Sequence, residues 1–231
     1  MNYWTIIPAA GAGRRMGSEI PKQYLPLGGK TVIQHTLDCL LDHPQVHGAV
    51  VALAKNDGWW DKLQLNYSKP ILRADGGKER SDSVMNALEL LSSEADKEDY
   101  VLIHDAVRPC VRHEDLDRLL DTVKNDPAGG ILARPSHDTM KRGDVNCRID
   151  STVDRRFLWH ALTPQMFQLG TLIQAIRYAR KSDLAITDEA SAMELLGSRP
   201  QLVAGHPDNI KITRPEDLPL AEFFLRQQQR I

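Results

Sequence analysis

Two short stretches, residues 48–54 (GAVVALA) and 100–104 (YVLIH), are almost wholly apolar and lack the alternation of a half-exposed strand. Runs this short and uniform are expected of strands covered on both faces, as in a parallel sheet. Amphipathic stretches separate these runs. Val32, Ile33, Leu37, Leu40 and Leu41 recur at helical spacing, as do Val84, Leu88 and Leu91, and then Leu116, Leu119, Leu120 and Val123. Residues 3–8, 71–74 and 130–133 predict further strands. Strands alternating with helices imply βαβ units, a parallel sheet and right-handed crossovers, hence the α/β class.

The rhythm breaks at residues 134–156, RPSHDTMKRGDVNCRIDSTVDRR, which hold few large apolar side chains and a Lys-Arg-Gly-Asp turn signal. Two short strands around that turn predict a hairpin arm without a core of its own, which needs another surface to lie on, most simply a second subunit. A chain of 231 residues leaves room for it, since about 150 residues make a typical domain. Beyond it, Leu169, Leu172, Ile173 and Ile176 predict a helix, and Ala190, Met193 and Leu196 a second one closed by Gly197. Residues 201–204 and 209–213 read as strands, and a last helix opens at Thr213-Arg214-Pro215-Glu216. The expected organisation is one domain over 1–231 with the arm inserted at 134–156.

Charge excludes some classes of function. Lys and Arg number 29 and Asp and Glu 31, so the basic excess that draws proteins to nucleic acid is missing. Cys39, Cys110 and Cys147 are odd in number and form no CxxC, which argues against a disulfide framework or zinc knuckle. No apolar run approaches the roughly 18 residues of a membrane span, and a cytoplasmic protein is expected.

The segment after the first strand, Pro8-Ala9-Ala10-Gly11-Ala12-Gly13-Arg14-Arg15-Met16-Gly17, lets a backbone approach a ligand closely, and Arg14, Arg15 and Lys22 supply cations. Free N–H groups ahead of a helix attract phosphate. A dinucleotide fingerprint fails because Met16 holds the third glycine's place, and a P-loop fails because Tyr24 stands where its first glycine belongs. Asp105 and Arg108 follow the YVLIH strand, at the edge where α/β sheets bind ligands. An aspartate there can hold Mg²⁺ together with substrate phosphates, or serve as a loop carboxylate. Lys211 lies between Ile210 and Ile212, so it faces either solvent or a site. His43 and His47 read as a loop pair, and Cys110 as packing.

The ordered set PAAGAGRRMGSEIPKQYLPLGGK, DGGKERSDSV, HDAVRPC, DTMKR, TVDR, WHALTPQ, ITDEASA and NIKITRPEDL resembles the 2-C-methyl-D-erythritol 4-phosphate cytidylyltransferase family of the non-mevalonate isoprenoid pathway. The likeness spans residues 6 to about 220. It implies a Rossmann-like sheet with a protruding β-arm, arms that clasp in a homodimer, and transfer of cytidylyl from CTP to methylerythritol phosphate with Mg²⁺. By motif, it implies that Ala9, Ala10, Gly11 and Gly13 line the nucleotide and that Arg15 and Lys22 hold the triphosphate. Gly76, Gly77 and Ser83 would contact the cytidine, and Asp105 the metal. Arg108, Thr163 and Lys211 would bind the acceptor or neighbouring phosphates. Thr139 and Arg155 would reach into the partner's site, with Asp138 and Thr187 as weaker candidates. Lys78 stands where such chains often carry an acid, which leaves the base to the backbone of Gly76 and Gly77. The competing readings are a cytidylyltransferase for another polyol phosphate such as ribitol 5-phosphate, a silent nucleotide-binding protein, and a dinucleotide-dependent dehydrogenase.

Overall fold

The structure is a computed structural model that describes residues 1–11, 13 and 16–231. In chain order its main elements are β1 (Tyr3–Pro8), β2 (Pro26–Leu27), β3 (Lys30–Thr31), α1 (Val32–Asp42), β4 (Val46–Leu53), β5 (Ile71–Asp75), α2 (Arg80–Leu91), β6 (Tyr100–Ile103) and α3 (His113–Val123). There follow β7 (Gly130–Pro135), β8 (Met140–Gly143), β9 (Ile149–Val153), β10 (Trp159–Gln168), α4 (Leu169–Lys181), α5 (Glu189–Leu195), β11 (Gln201–Ala204) and α6 (Asp217–Gln227).

Seven strands form one sheet in the order β11-β7-β10-β6-β1-β4-β5. Every pairing is parallel except those of β10, which runs antiparallel to β6 and β7. Side chains alternate across the sheet. Ile7, Val51 and Leu102 pack with α1 and α3 on one face. Their neighbours Ile6, Val50 and Val101 pack with α2, α4 and α5 on the other. Both faces are thus covered, which is why these strands read as continuous apolar runs. Thr31 opens α1 and Asp188 opens α5 with reciprocal capping boxes.

β10 escaped the sequence reading. Its WHALTPQMFQ stretch mixes polar residues with Pro164, and a proline argues against a central strand. The sheet accommodates it because pairing to β7 lapses between Ala161 and Gln165. That lapse carries Thr163 to the sheet edge beside Asp105, whose N–H donates to Thr163 Oγ1 at 3.2 Å. The expected strand at 209–213 is not one. Ile212 N–H donates to Val107 C=O, and Ile212 is buried with Met16, Leu25, Val107 and Cys110 under α6. Its alternation reflects one-sided burial against a loop. α6 begins at Asp217, later than expected, because Asp217 Oδ2 accepts from the N–H groups of Thr213 and Arg214 at 2.8 Å each.

The arm is the separate hairpin of β8 and β9. Its turn lies one step beyond the expected place: Lys141, Arg142 and Gly143 belong to β8, and Asp144 Oδ1 closes the turn by accepting from Asn146 and Arg148 N–H. Val145 and Ile149 are exposed along it, and Phe157 just beyond it. Among the described residues, no helix is long and apolar enough to cross a membrane.

Candidate active site

From β1 the chain moves outward to β4 and β5, then returns to place β6 on the other side of β1. The carboxyl edge at such a reversal is where open α/β sheets bind ligands. A cavity of about 200 Å³ lies there, lined by Ala9, Ala10 and Gly11 after β1, by Gly77–Arg80 and Ser83 at the start of α2, by Asp105–Val107 after β6, and by Lys22 and Lys211. A larger open cleft of about 750 Å³ lies between α1, α3 and the C-terminal segment. It is not at a strand-order reversal, and Arg230 on its wall is spent on the carbonyls of His35, Pro109 and Val111.

Asp105 is the centre of the site. Its Oδ2 lies 2.8 Å from Lys211 Nζ and 3.5 Å from Arg108 Nε, and its Oδ1 accepts from Arg80 Nε at 3.1 Å. Burial alone would raise the carboxyl pKa, but Arg80, Lys211 and Arg108 outweigh it and hold Asp105 ionised well below the usual carboxylate range. Lys211 therefore faces the site. Lys22 also lines the cavity, its Nζ donating to Ile212 C=O at 3.3 Å, one residue beyond Lys211. Its stem rests on Gly13, where the backbone has φ +64° and a Cβ would meet Lys22 Cγ at 2.8 Å.

Behind Asp105 runs a chain of hydrogen bonds. His104 is fully buried, which pushes its pKa down to about 4, so the ring is neutral at pH 7. Its Nε2 lies 3.0 Å from Arg108 C=O and must donate; its Nδ1, 3.0 Å from Thr163 Oγ1, must accept. The Thr163 hydroxyl proton is thus committed to His104, while its oxygen accepts from Asp105 N–H. Toward any ligand Thr163 Oγ1 can only accept. Asn209 ties the same corner together, since its Nδ2 donates to Thr163 C=O at 2.8 Å and its carbonyl accepts from Arg108 Nη1 at 2.7 Å.

The glycine pair is packed with equal economy. A Cβ on Gly76 would meet Ala10 Cβ at 2.2 Å, and one on Gly77 would meet Asp82 Cβ at 2.0 Å. Gly76 N–H donates to Leu53 C=O and Gly77 N–H to Ser83 Oγ. The Ser83 hydroxyl in turn donates to Glu79 C=O at 3.2 Å. What this wall offers a ligand is therefore acceptors. Ala9 lines the cavity, but its N–H and C=O are spent on Ala52 and Gln23, which leaves the backbone of Ala10 and Gly11.

Of the expected site residues, Ala9, Ala10, Gly11, Lys22, Gly77, Ser83, Asp105 and Lys211 line one cavity, and Gly13, Gly76, Arg108 and Thr163 pack directly around it. Arg15, like Arg14 and Ala12, lies outside the described residues. Thr139 and Arg155 are exposed on the arm, Arg155 Nη1 donating to His137 C=O, and neither joins this cavity. Cys110 is a buried thiol, its pKa pushed up to about 12 by burial, and packs under α6. The sequence reading missed Arg80 and Glu189. They stand within the quoted segments DGGKERSDSV and ITDEASA, but 109 positions separate them and no local pattern pairs them.

The family model for 2-C-methyl-D-erythritol 4-phosphate cytidylyltransferase matches residues 3–227. The chain is 52% identical over 227 residues to the enzyme of that name from Pseudomonas putida, covering 98% of this chain and 95% of the relative. It is 50% identical over 224 residues to that of Vibrio vulnificus, covering 97% and 94%. The crystal structure of the Francisella tularensis enzyme is similar with a TM-score of 0.84 at 37% identity, over 97% of this chain and 100% of that one. With the model covering nearly the whole length and the cavity at the sheet's strand-order reversal, the chain belongs to the 2-C-methyl-D-erythritol 4-phosphate cytidylyltransferase family.

Proposed function

We propose that this chain transfers the cytidylyl group of CTP to 2-C-methyl-D-erythritol 4-phosphate by direct in-line attack. A phosphate oxygen of the acceptor bonds to the α-phosphorus of CTP, the bond from that phosphorus to the bridging oxygen breaks, and pyrophosphate leaves with the electron pair. The nucleophile is already an anion at neutral pH, so a strong general base is not needed. The barrier is the approach of two anions, which makes positioning and fixed positive charge the catalytic work. The observation that carries this reading is the buried Asp105 with Lys211, Arg108 and Arg80 around it, in a cavity that Lys22 also lines.

The acceptor-only wall at Gly76, Gly77 and Ser83 suits the amino group of cytosine and opposes the carbonyl that uracil carries in its place. Lys22, with Arg15, takes the triphosphate. Thr163 accepts from an acceptor hydroxyl, and Arg108 and Lys211 take phosphate.

Mg²⁺ fits this site in one respect. Among the described residues no three acidic, His or Cys side chains cluster to hold a metal. Asp105 is an ionised carboxylate on the wall of the cavity, and Mg²⁺ is commonly held by one or two carboxylates plus substrate phosphates. Asp105 would hold it, and the ion would supply neutralisation of phosphate charge. Arg80, Lys211 and Arg108 keep Asp105 ionised.

The 134–156 arm belongs to a single 1–231 unit and pairs two copies as a homodimer, so that Thr139 and Arg155 complete the partner's acceptor site. The exposed Val145, Ile149 and Phe157 support this.

The test is coupled pyrophosphate release. CTP with methylerythritol phosphate is expected to turn over, and UTP and GTP to lag by at least roughly 10²-fold. Equal turnover of GTP refutes the cytidylyl assignment, faster turnover of ribitol 5-phosphate reassigns the acceptor, and no turnover leaves a silent nucleotide binder.

A further inference from the structure

Glu189 is a buried carboxylate in the first turn of α5, and it does not line the nucleotide cavity. Its two oxygens accept from Arg80 Nη1 at 2.6 Å and Nη2 at 3.1 Å, a bidentate fork. Arg80 does line the cavity. With Nη1 and Nη2 turned to Glu189, it presents Nε to Asp105 Oδ1 at 3.1 Å. Asp105 Oδ2 is held from the other side by Lys211 at 2.8 Å. Both oxygens of the central carboxylate are therefore gripped, and rotation of the group breaks both contacts.

We propose that Arg80 is a positioning residue and not a phosphate ligand: Glu189 anchors its fork, and its Nε sets the Asp105 carboxylate against Lys211 for the transfer step. This rests on the reading that Asp105 acts in cytidylyl transfer. The pair sets a half-buried guanidinium against a buried acidic side chain, and burying an ion pair is weak support for stability in itself. A site that must keep one carboxylate in one orientation gains from it, since a misplacement of about 1 Å near the reacting centre can cost 10²-fold in rate.

Two variants separate the possibilities. Arg80→Lys keeps the charge and loses the fork; Glu189→Gln keeps the shape and loses the anchor. Both are expected to lower kcat by roughly 10- to 100-fold. Calorimetric affinity for CTP without acceptor should stay within about threefold, and the double variant should be no worse than the weaker single one, because the two residues act through one chain. A phosphate-binding Arg80 gives the opposite pattern: kcat survives in Arg80→Lys, while Arg80→Gln loses CTP affinity more than about tenfold. A purely structural pair lowers Tm and leaves kcat of the folded protein unchanged. Either pattern overturns the proposal. An inactive wild-type chain overturns the functional reading instead. One measurement is independent of activity: the Arg80 Nε–H resonance should exchange with water at least roughly tenfold more slowly than in a free arginine, and lose that protection in Glu189→Gln. Fast exchange in the wild-type protein overturns the proposal whatever the assay gives.

Discussion

Around the buried Asp105 carboxylate, Arg80, Arg108 and Lys211 all reach its oxygens and the buried Glu189 grips Arg80 from behind, while Arg80 and Lys211 keep part of their side chains in water. On the arm, Arg156 pairs with Asp154 two residues away, and both are open to solvent. The cavity's partners come from four distant parts of the chain, whereas the arm's come from its own neighbours. A buried charge must be paired by whatever the fold brings beside it, while an exposed one is solvated and its pairing adds little. The charge pairing around Asp105 can therefore be understood within one chain. The arm leaves apolar side chains such as Val145 and Ile149 exposed, and in the proposed homodimer a second subunit is what covers them.

Lys22→Ala should produce the largest loss, a fall in turnover of roughly 10²–10³-fold by analogy with removing one transition-state donor. Pyrophosphate release at saturating substrates checks it, and turnover within threefold of wild type would remove Lys22 from the chemistry. The comparison can also be tested with pH. Buried His104 has a folded pKa of about 4 against 6.5 for the ordinary group, so on acidification the unfolded chain takes up the proton first. Stability is then full above about pH 6.5 and falls toward pH 4 with a slope near 1.4 kcal/mol per pH unit from this group. Asp105, whose folded pKa is depressed, adds its own loss only below about pH 4. Urea unfolding of wild type and His104→Asn at pH 7 and 5 should differ in this slope; equal slopes would break the account of a neutral, buried ring.

For the arm, Arg155→Ala should leave Tm within about 1 °C, as for an exposed residue, and lower kcat/KM for the acceptor roughly 10- to 100-fold. Mixing it with Lys22→Ala should restore about a quarter of wild-type activity, the share of intact sites in randomly paired dimers. No recovery on mixing would return the arm to its own subunit. The smallest effect is expected of Thr163→Val, roughly five- to tenfold in acceptor kcat/KM, with inhibition by inorganic phosphate unchanged. Weakened phosphate inhibition would mean that the hydroxyl donates to phosphate.

Most of the sheet was legible because its signal is local. The runs at β4 and β6 and the helical faces of α1, α2 and α3 follow from spacing within a dozen residues. β10 was not legible, because Pro164 sits in it and only the lapse in pairing at 161–165 makes that tolerable. Lys211 could be narrowed to two directions by its apolar neighbours, but the choice needed Asp105 opposite it. The glycine loop and the Asp105 motif could be found by type, whereas the hydrogen-bond directions that make Thr163 and Ser83 acceptors required their partners.

The sequence by itself determined the α/β alternation, the polar arm, the lack of a basic excess and the family to which the motifs point, since periodicity, composition and motif are properties of neighbouring residues. Only the tertiary structure decided which charges meet. Arg80, Asp105, Glu189 and Lys211 are dispersed over more than a hundred positions, and they converge because the strand order returns β6 to the side of β1 while α2, α5 and the 207–213 segment close over the same edge. Coulomb pairing in a buried site depends on distance in space, and a linear sequence carries that distance only through the fold.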